Sequence, residues 1–310
     1  MDKNNFKCIC CESNDYSILD YNNYGYKILE IKGNNIFHNL SIYLCKECGF
    51  SNAFPIIKEK ELNEFYNLNY SATDTMHSVT WEEKFRNYKK YFAWRYLSQI
   101  YLVKTFKDIL SIHNVLEIGP GNCEGKRTFD RMNCDVNYYV FEEDYSKYEL
   151  IKKNKIQLLE KQKDHFFIEK YANKFDLTIM SHSLEHFQFH QIIEILNSIY
   201  KMTKNRGVFL IEVPCDDFRF DEVRVNHSPH LCFFTVQSFQ KIIKKTKFRI
   251  IFLNEYGGIK NNRPYEEVYP SSLKNKLKSI KSLLRAVRLL KSLKNLIKII
   301  LKKYLLSFLF

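Results

Sequence analysis

Three groups of residues in this chain have the types and spacing that chemistry needs. The first is Glu117-x-Gly119-Pro120-Gly121. The apolar run Val115 to Ile118 carries the acidic residue and breaks at two glycines. A strand is therefore expected to enter a tight turn, where missing Cβ atoms let a ligand reach the backbone. A second apolar run, Val136 to Phe141, ends at Glu142, 21 residues after Gly121. Strand, glycine turn, helix and a second strand ending in a carboxylate form a half-unit that binds a nucleoside. The turn faces the polar end of the ligand, and the carboxylate accepts hydrogen bonds from ribose hydroxyls.

The second group is rich in imidazole. Phe175 to Ser181 reads as a buried strand followed by His182-Ser183-Leu184-Glu185-His186, which places Ser181 and His182 on the ligand edge of a sheet. The strand Gly207 to Pro214 carries Glu212 toward the same edge, and His227-Ser228-Pro229-His230 follows it. Imidazole exchanges protons near neutral pH, so His182, His186, His227 and His230 are candidate bases. Each of them can equally serve as a cap or a packed core residue.

The third group is sulfur. Cys8-x-x-Cys11 and Cys45-x-x-Cys48 form two knuckles with 33 residues between them. Four thiolates from two such hairpins make a closed tetrahedral zinc site with a structural role, and Cys10 is then a bystander. The alternative is four reduced, buried thiols. An odd total of nine cysteines speaks against a disulfide framework and for a reducing compartment. The N-terminus lacks the apolar core of a secretory signal, and no stretch of 18 uncharged apolar residues occurs, so a cytoplasmic protein is expected.

These residues need elements to position them. Apolar runs near 114–118, 136–141, 175–181, 207–213 and 248–254, with a weakly marked one at 156–159, alternate with helical patterns that include 191–202 and 236–245. That pattern predicts a Rossmann-like α/β fold with a parallel sheet, its ligands at the carboxyl ends of the strands. Residues 1–70 are expected to form the small zinc domain, with strands near 16–19, 28–31 and 41–44. Residues 71–110 are an aromatic-rich helical linker (Trp81, Phe85, Tyr88, Trp94) that either packs on the main domain or closes over a pocket near Tyr88 and Arg95. Residues 111–270 hold the nucleoside-binding domain.

The net charge of +13 is concentrated at one end. Eleven of the 48 basic residues lie in 271–310, with no acidic residue among them, leaving 37 basic against 35 acidic in the rest. A body so close to neutral excludes a general nucleic-acid-binding surface. In the tail, Leu273, Leu277, Ile280, Leu284 and Val287 recur at helical spacing between lysines and arginines. This is a basic amphipathic helix, which either lies peripherally on the inner face of an anionic membrane or packs on the domain or a partner subunit. Nothing in the sequence sets an oligomeric state.

Taken in order, several motifs resemble the class I S-adenosylmethionine-dependent methyltransferases that carry an N-terminal zinc knuckle, a kind found in sugar and polysaccharide biosynthesis. They are the knuckles with Cys48-Gly49-Phe50 and Pro55, the Glu117-x-Gly119-x-Gly121 turn, Glu142, the Ser181-His182-Ser183-Leu184-Glu185-His186 block and His230-Leu231-x-Phe233-Phe234-Thr235. The resemblance covers roughly residues 5–258. It implies that Glu117, Gly119 and Gly121 hold the methionine end of S-adenosylmethionine and that Glu142 binds the ribose. Ser181 and His182 would line the sulfonium and acceptor side, Asp164 the adenine edge, and His186 would match a histidine with an acid–base role. Two departures stand out. Cys123 replaces a frequent third glycine, and His227-Ser-Pro-His230 replaces the Tyr-x-Glu-His of similar sugar C-methyltransferases. O-methylation of a sugar nucleotide or cell-surface glycan is therefore expected, with C- or N-methylation of a sugar or other small metabolite as the alternative.

Three other readings carry less weight. His182-x-x-Glu185-His186 also fits an inverted zinc-peptidase pattern, but behind a strand edge rather than inside a helix. A nicotinamide-dependent oxidoreductase would need different glycine spacing and no Glu124 where a pyrophosphate sits. A non-catalytic membrane-associated scaffold would not need Gly119, Gly121 and Glu142.

Overall fold

A computed structural model of the chain describes residues 6–21, 36–37, 39–69, 95–159, 169–220 and 229–255. The strand expected at 28–31, the aromatic linker up to residue 94, Asp164, His227 and the basic tail lie outside the described residues. Residues Met1–Asn254 form one unit and Glu255–Phe310 another.

The main sheet is built from β4 (Asn114–Ile118), β5 (Asn137–Phe141), β6 (Gln157–Leu158), β7 (Phe175–Ser181) and β8 (Thr203–Glu212). Its strands run parallel in the order β6-β5-β4-β7-β8. Every residue of β7 is buried, as an apolar strand covered on both faces requires. The chain moves from β4 outward through β5 to β6, then returns to the far side of β4 for β7 and β8. That reversal opens a crevice above the carboxyl ends of β4 and β7, where ligands bind in sheets of this kind. The registers bring Ile118 level with Phe141 on one side and with Met180 on the other, so Gly119, Glu142 and Ser181 emerge at one edge.

The second sheet contains β1 (Tyr16–Asp20), β2 (Ser41–Cys45), β3 (Ser51–Phe54) and β9 (Cys232–Phe233). It is antiparallel, in the order β1-β2-β3-β9. The last strand was not foreseen. Asn52 of β3 pairs with Cys232, so a segment from beyond the main sheet closes the edge of the N-terminal one. Tyr21, Phe37, Ile42, Phe65, Phe218 and Phe233 share a core there. Burial of these aromatics, worth roughly 25 cal/mol per Å² of apolar surface, ties the small sheet to the chain that follows β8.

One expected strand does not form. Residues 248–254 make no ladder with β8, although Phe248 packs on Phe209 with ring centroids 5.0 Å apart. Their apolar run reflects side-chain packing against the sheet, and the sequence pattern alone does not separate that from pairing. Among the described residues, no helix is long and apolar enough to cross a membrane.

Candidate active site

The turn after β4 has the geometry its glycines suggest. Gly119 has φ +68°, and its N–H donates to the Phe141 carbonyl at 2.9 Å, fastening the turn to the end of β5. A Cβ on Gly119 would lie 2.3 Å from Ser183 Oγ, which itself donates to the Ile118 carbonyl at 2.9 Å. Gly121 has φ +50°, and a Cβ there would meet nothing within 4 Å, so it borders open space. Cys123 occupies the position of the missing third glycine and adopts the left-handed φ of +57° that a glycine would take. Cys123 thus keeps the glycine-like backbone of the turn and stands at the N-cap position of the helix Glu124–Arg131, without a side-chain capping bond. Glu124, at the start of that helix, is paired with Arg127 and Arg131.

Glu117 lies beneath this turn. It is 1% exposed, and its Oε2 accepts a hydrogen bond from the Tyr138 hydroxyl at 2.8 Å. Burial pushes its carboxyl pKa up, and contacts with Tyr96, Tyr138 and Arg95 oppose that shift. Glu142, at the end of β5, turns one oxygen onto its own backbone. Oε1 accepts from the N–H groups of Glu143 (2.9 Å) and Asp144 (3.0 Å), which orients the carboxylate at the edge of the crevice. Burial raises its pKa to about 7, against the pull of those two amides.

The other half of the edge is crowded with charge. His182 follows β7 with φ +54°, a left-handed conformation that histidine tolerates better than most residues. Its Nε2 lies 3.1 Å from Glu212 Oε1, and its Nδ1 is 3.6 Å from Glu185 Oε1. Burial disfavours the imidazolium, but Glu185 and Glu212 outweigh it and hold the pKa at about 9. His182 therefore rests protonated at neutral pH. Glu212 Oε2 also accepts from Gln99 Nε2, which donates to Ser181 Oγ at 2.9 Å. Gln99 comes from helical residues 95–104 and was missed in the sequence. The spacing of buried Tyr96, Ile100 and Val103 would have exposed that helix's inner face.

Behind His182, Glu185 is surrounded by imidazole. His230 Nε2 lies 3.9 Å from its Oε1, and the His186 and His230 rings meet edge to face with centroids 5.0 Å apart. Burial alone would raise the Glu185 carboxyl, but His182, His186 and His230 together hold it down to about 2. Burial and the neighbouring His186 push His230 down to about 3, so it stays neutral. The structure thus brings His182, His186 and His230 around one carboxylate. The zinc-peptidase pattern does not form. Residues Leu184–His186 are a short 3-10 turn, and His182 faces Glu212 while His186 faces Tyr66 and the Pro229 carbonyl.

At the small sheet, the sulfurs of Cys8, Cys11, Cys45 and Cys48 all lie within 4.8 Å of one another. Cys8 and Cys48 are 3.6 Å apart, and Cys11 and Cys45 are 3.5 Å apart. Zn–S bonds of about 2.3 Å at tetrahedral angles set S···S edges of roughly 3.8 Å, so the four thiols fit one zinc ion. Thr235 Oγ1 donates to the Cys48 carbonyl at 2.7 Å, joining the second knuckle to the helix Val236–Ile243.

A match to a known family accompanies this geometry. A family model described as a methyltransferase domain matches residues 81–252, more than half of the chain. A search of curated proteins finds no match. Among solved structures, a SAM-dependent methyltransferase from Archaeoglobus fulgidus is 17% identical, with 50% of this chain and 69% of that chain covered and a TM-score of 0.37. A phosphoethanolamine N-methyltransferase 2 from Haemonchus contortus is also 17% identical, covering 48% of this chain and 36% of its own length at a TM-score of 0.37. The N-methyltransferase NodS from Bradyrhizobium japonicum is 15% identical, covering 38% and 59% at a TM-score of 0.31. The last two overlaps span less than two thirds of those proteins' lengths. The family match, and not these partial overlaps, carries the assignment. With more than half of its length matched by that one model, the chain belongs to the methyltransferase-domain family and is an enzyme that uses S-adenosylmethionine.

Proposed function

We propose that the chain transfers a methyl group to a hydroxyl of a sugar nucleotide or cell-surface glycan, with the donor held at the ends of β4 and β5 and the acceptor at the ends of β7 and β8. The observation that carries this reading is the pairing of two unlike surfaces on one sheet edge. Gly121 borders open space after β4 and the Glu142 carboxylate follows the neighbouring β5, while His182, after β7, stands between two further carboxylates. The residues fit a nucleoside-borne sulfonium, which supplies a methyl group already activated for in-line displacement. Gly119 and Gly121 would let its polar end approach the main chain, with Glu117 bracing the turn from below. Glu142 would bind the ribose through the oxygen that its backbone amides leave open. Alignment in a dry site is then most of what the protein must provide.

A hydroxyl acceptor must also lose a proton. His182 has 37% of its side chain exposed against 6% for His230, and partly exposed His186 is engaged by Tyr66 and Pro229, so His182 is the member of the cluster offered to the crevice. It would take that proton, with Glu185 and Glu212 stabilising the imidazolium that results. His182 must therefore shed its resting proton before each turnover. Gln99, hydrogen-bonded also to Ser181, holds Glu212 in place. The four cysteines would bind a structural zinc ion that keeps the small sheet folded against the helix Val236–Ile243. The tail, 271–310, would bring the enzyme to an anionic membrane surface where glycans are assembled.

Incubation with a labelled methyl donor and a pool of sugar nucleotides and glycans, followed by identification of the product, tests this reading. Label on a sugar oxygen is expected. Label on nitrogen or carbon would overturn the acceptor assignment, and failure of the donor to bind in a calorimetric titration would overturn the whole site.

A further inference from the structure

Glu185 shares its charge with His182, 3.6 Å away, but its oxygens make no hydrogen bond. It is 1% exposed, and neither carboxylate oxygen has a hydrogen-bond partner among the described residues. Carboxylate oxygens buried without hydrogen bonds are costly, and such atoms normally find a donor or coordinate a metal. Its nearest nitrogen neighbours stand off at 3.6 Å (His182) and 3.9 Å (His230), too far for an N–H···O bond. One ligand atom each from Glu185, His186 and His230 lie within 4.8 Å of one another. Two ligands about 2.0–2.1 Å from a shared tetrahedral ion lie roughly 3.3 Å apart, so the 3.9 Å gap between His230 Nε2 and Glu185 Oε1 needs only a small contraction.

The orientation of the rings agrees. His186 Nδ1 lies 3.3 Å from the Pro229 carbonyl and 3.1 Å from the Tyr66 hydroxyl. A carbonyl can only accept, so the tautomer with the proton on Nδ1 satisfies Pro229 and would leave Nε2 its lone pair for a metal. A backbone carbonyl taking the other ring N–H is the usual way a metal-binding histidine is oriented. The main chains of the two segments are already joined, since Leu231 N–H donates to the Glu185 carbonyl at 2.8 Å, and the Tyr21 hydroxyl further fixes His230 by donating to its carbonyl at 2.8 Å.

We propose that Glu185, His186 and His230 bind a second divalent transition-metal ion of the zinc type, separate from the four-cysteine cluster. Two imidazoles and one carboxylate leave a fourth position open, as in catalytic zinc sites and unlike closed sites made of four thiolates. The ion would clamp the turn after β7 to the loop before β9. The proposal does not rest on which acceptor is methylated, because it is read from metal binding and not from turnover.

The full chain, stripped with a chelator and titrated with Co²⁺, gives the test. Two ions per chain are expected, one with intense thiolate charge-transfer bands and one with only weak visible bands from nitrogen and oxygen ligands. Glu185→Gln and His230→Ala should each lose the second ion and keep the thiolate spectrum, which also reports that the small sheet is folded. A crystal soaked in zinc should show an anomalous peak within bonding distance of all three side chains. Binding at the cysteines alone in the unaltered protein, or a Glu185→Gln variant that still takes up two ions, would overturn the proposal.

Discussion

The two halves of the sheet edge are made of opposite materials. At the ends of β4 and β5 the functional surface is mostly main chain. Two glycines in left-handed conformations, a cysteine that copies a third, and one carboxylate restrained by its own amides make up that half. At the ends of β7 and β8 it is almost entirely titratable side chain, with Glu212, His182, Glu185, His230 and His186 linked in one chain of contacts. A donor that arrives already activated needs close approach and a sugar anchor, and bare backbone supplies the first while a single carboxylate supplies the second. A proton that must leave needs groups that change charge, and those come only from side chains. The halves should therefore fail in different ways when altered.

The largest effect is expected at the side-chain half. Replacing His182 by Ala should lower turnover by ~10²–10⁴-fold while donor affinity, measured by calorimetry, stays the same. A loss of donor binding instead would merge the two halves. Next is Glu142→Gln, which removes a charge-assisted hydrogen bond worth about 1.5–3 kcal/mol and should weaken donor binding by roughly tenfold or more. The pH dependence sharpens this. Burial raises the Glu142 carboxyl to about 7, so its proton-accepting form predominates only above that pH. Donor affinity should fall as the solution is acidified through that value, and Glu142→Gln should flatten the profile.

Gly121→Ala comes third. Its new Cβ would point into open space, so the fold should lose only the cost of a left-handed non-glycine residue, about 1–2 kcal/mol, while donor affinity drops. Equal donor affinity in this variant would place the ligand elsewhere. The smallest functional effect is expected from Tyr138→Phe, which deprives buried Glu117 of its 2.8 Å hydrogen bond. Thermal stability should fall by about 1–3 kcal/mol with donor affinity little changed, because Glu117 acts from beneath the turn.

The parallel sheet was legible because each of its strands is a local apolar run, and runs at 114–118, 136–141, 175–181 and even the faint 156–159 fall on strands. The strand expected at 207–213 is longer, Thr203–Glu212, since its first residues carry polar side chains that periodicity discounts. The run at 248–254 misled because an apolar segment can pack on a sheet without pairing with it. Strand β9 has two residues, too few for any periodicity, and exists only because β3 offers it an edge.

By itself the sequence determined the glycine turn, the carboxylate that follows it and the two cysteine knuckles, because each is written in neighbours a few residues apart. It also named His182, His186 and His230, the three histidines that meet at the edge. Only the tertiary structure decided what those histidines do. His182 is charged because Glu185 and Glu212 reach it from two different segments, and Glu185 is enclosed because residue 230 folds back onto the turn after β7. Proton affinity and metal affinity depend on distances between segments remote in sequence, and those distances are set by packing.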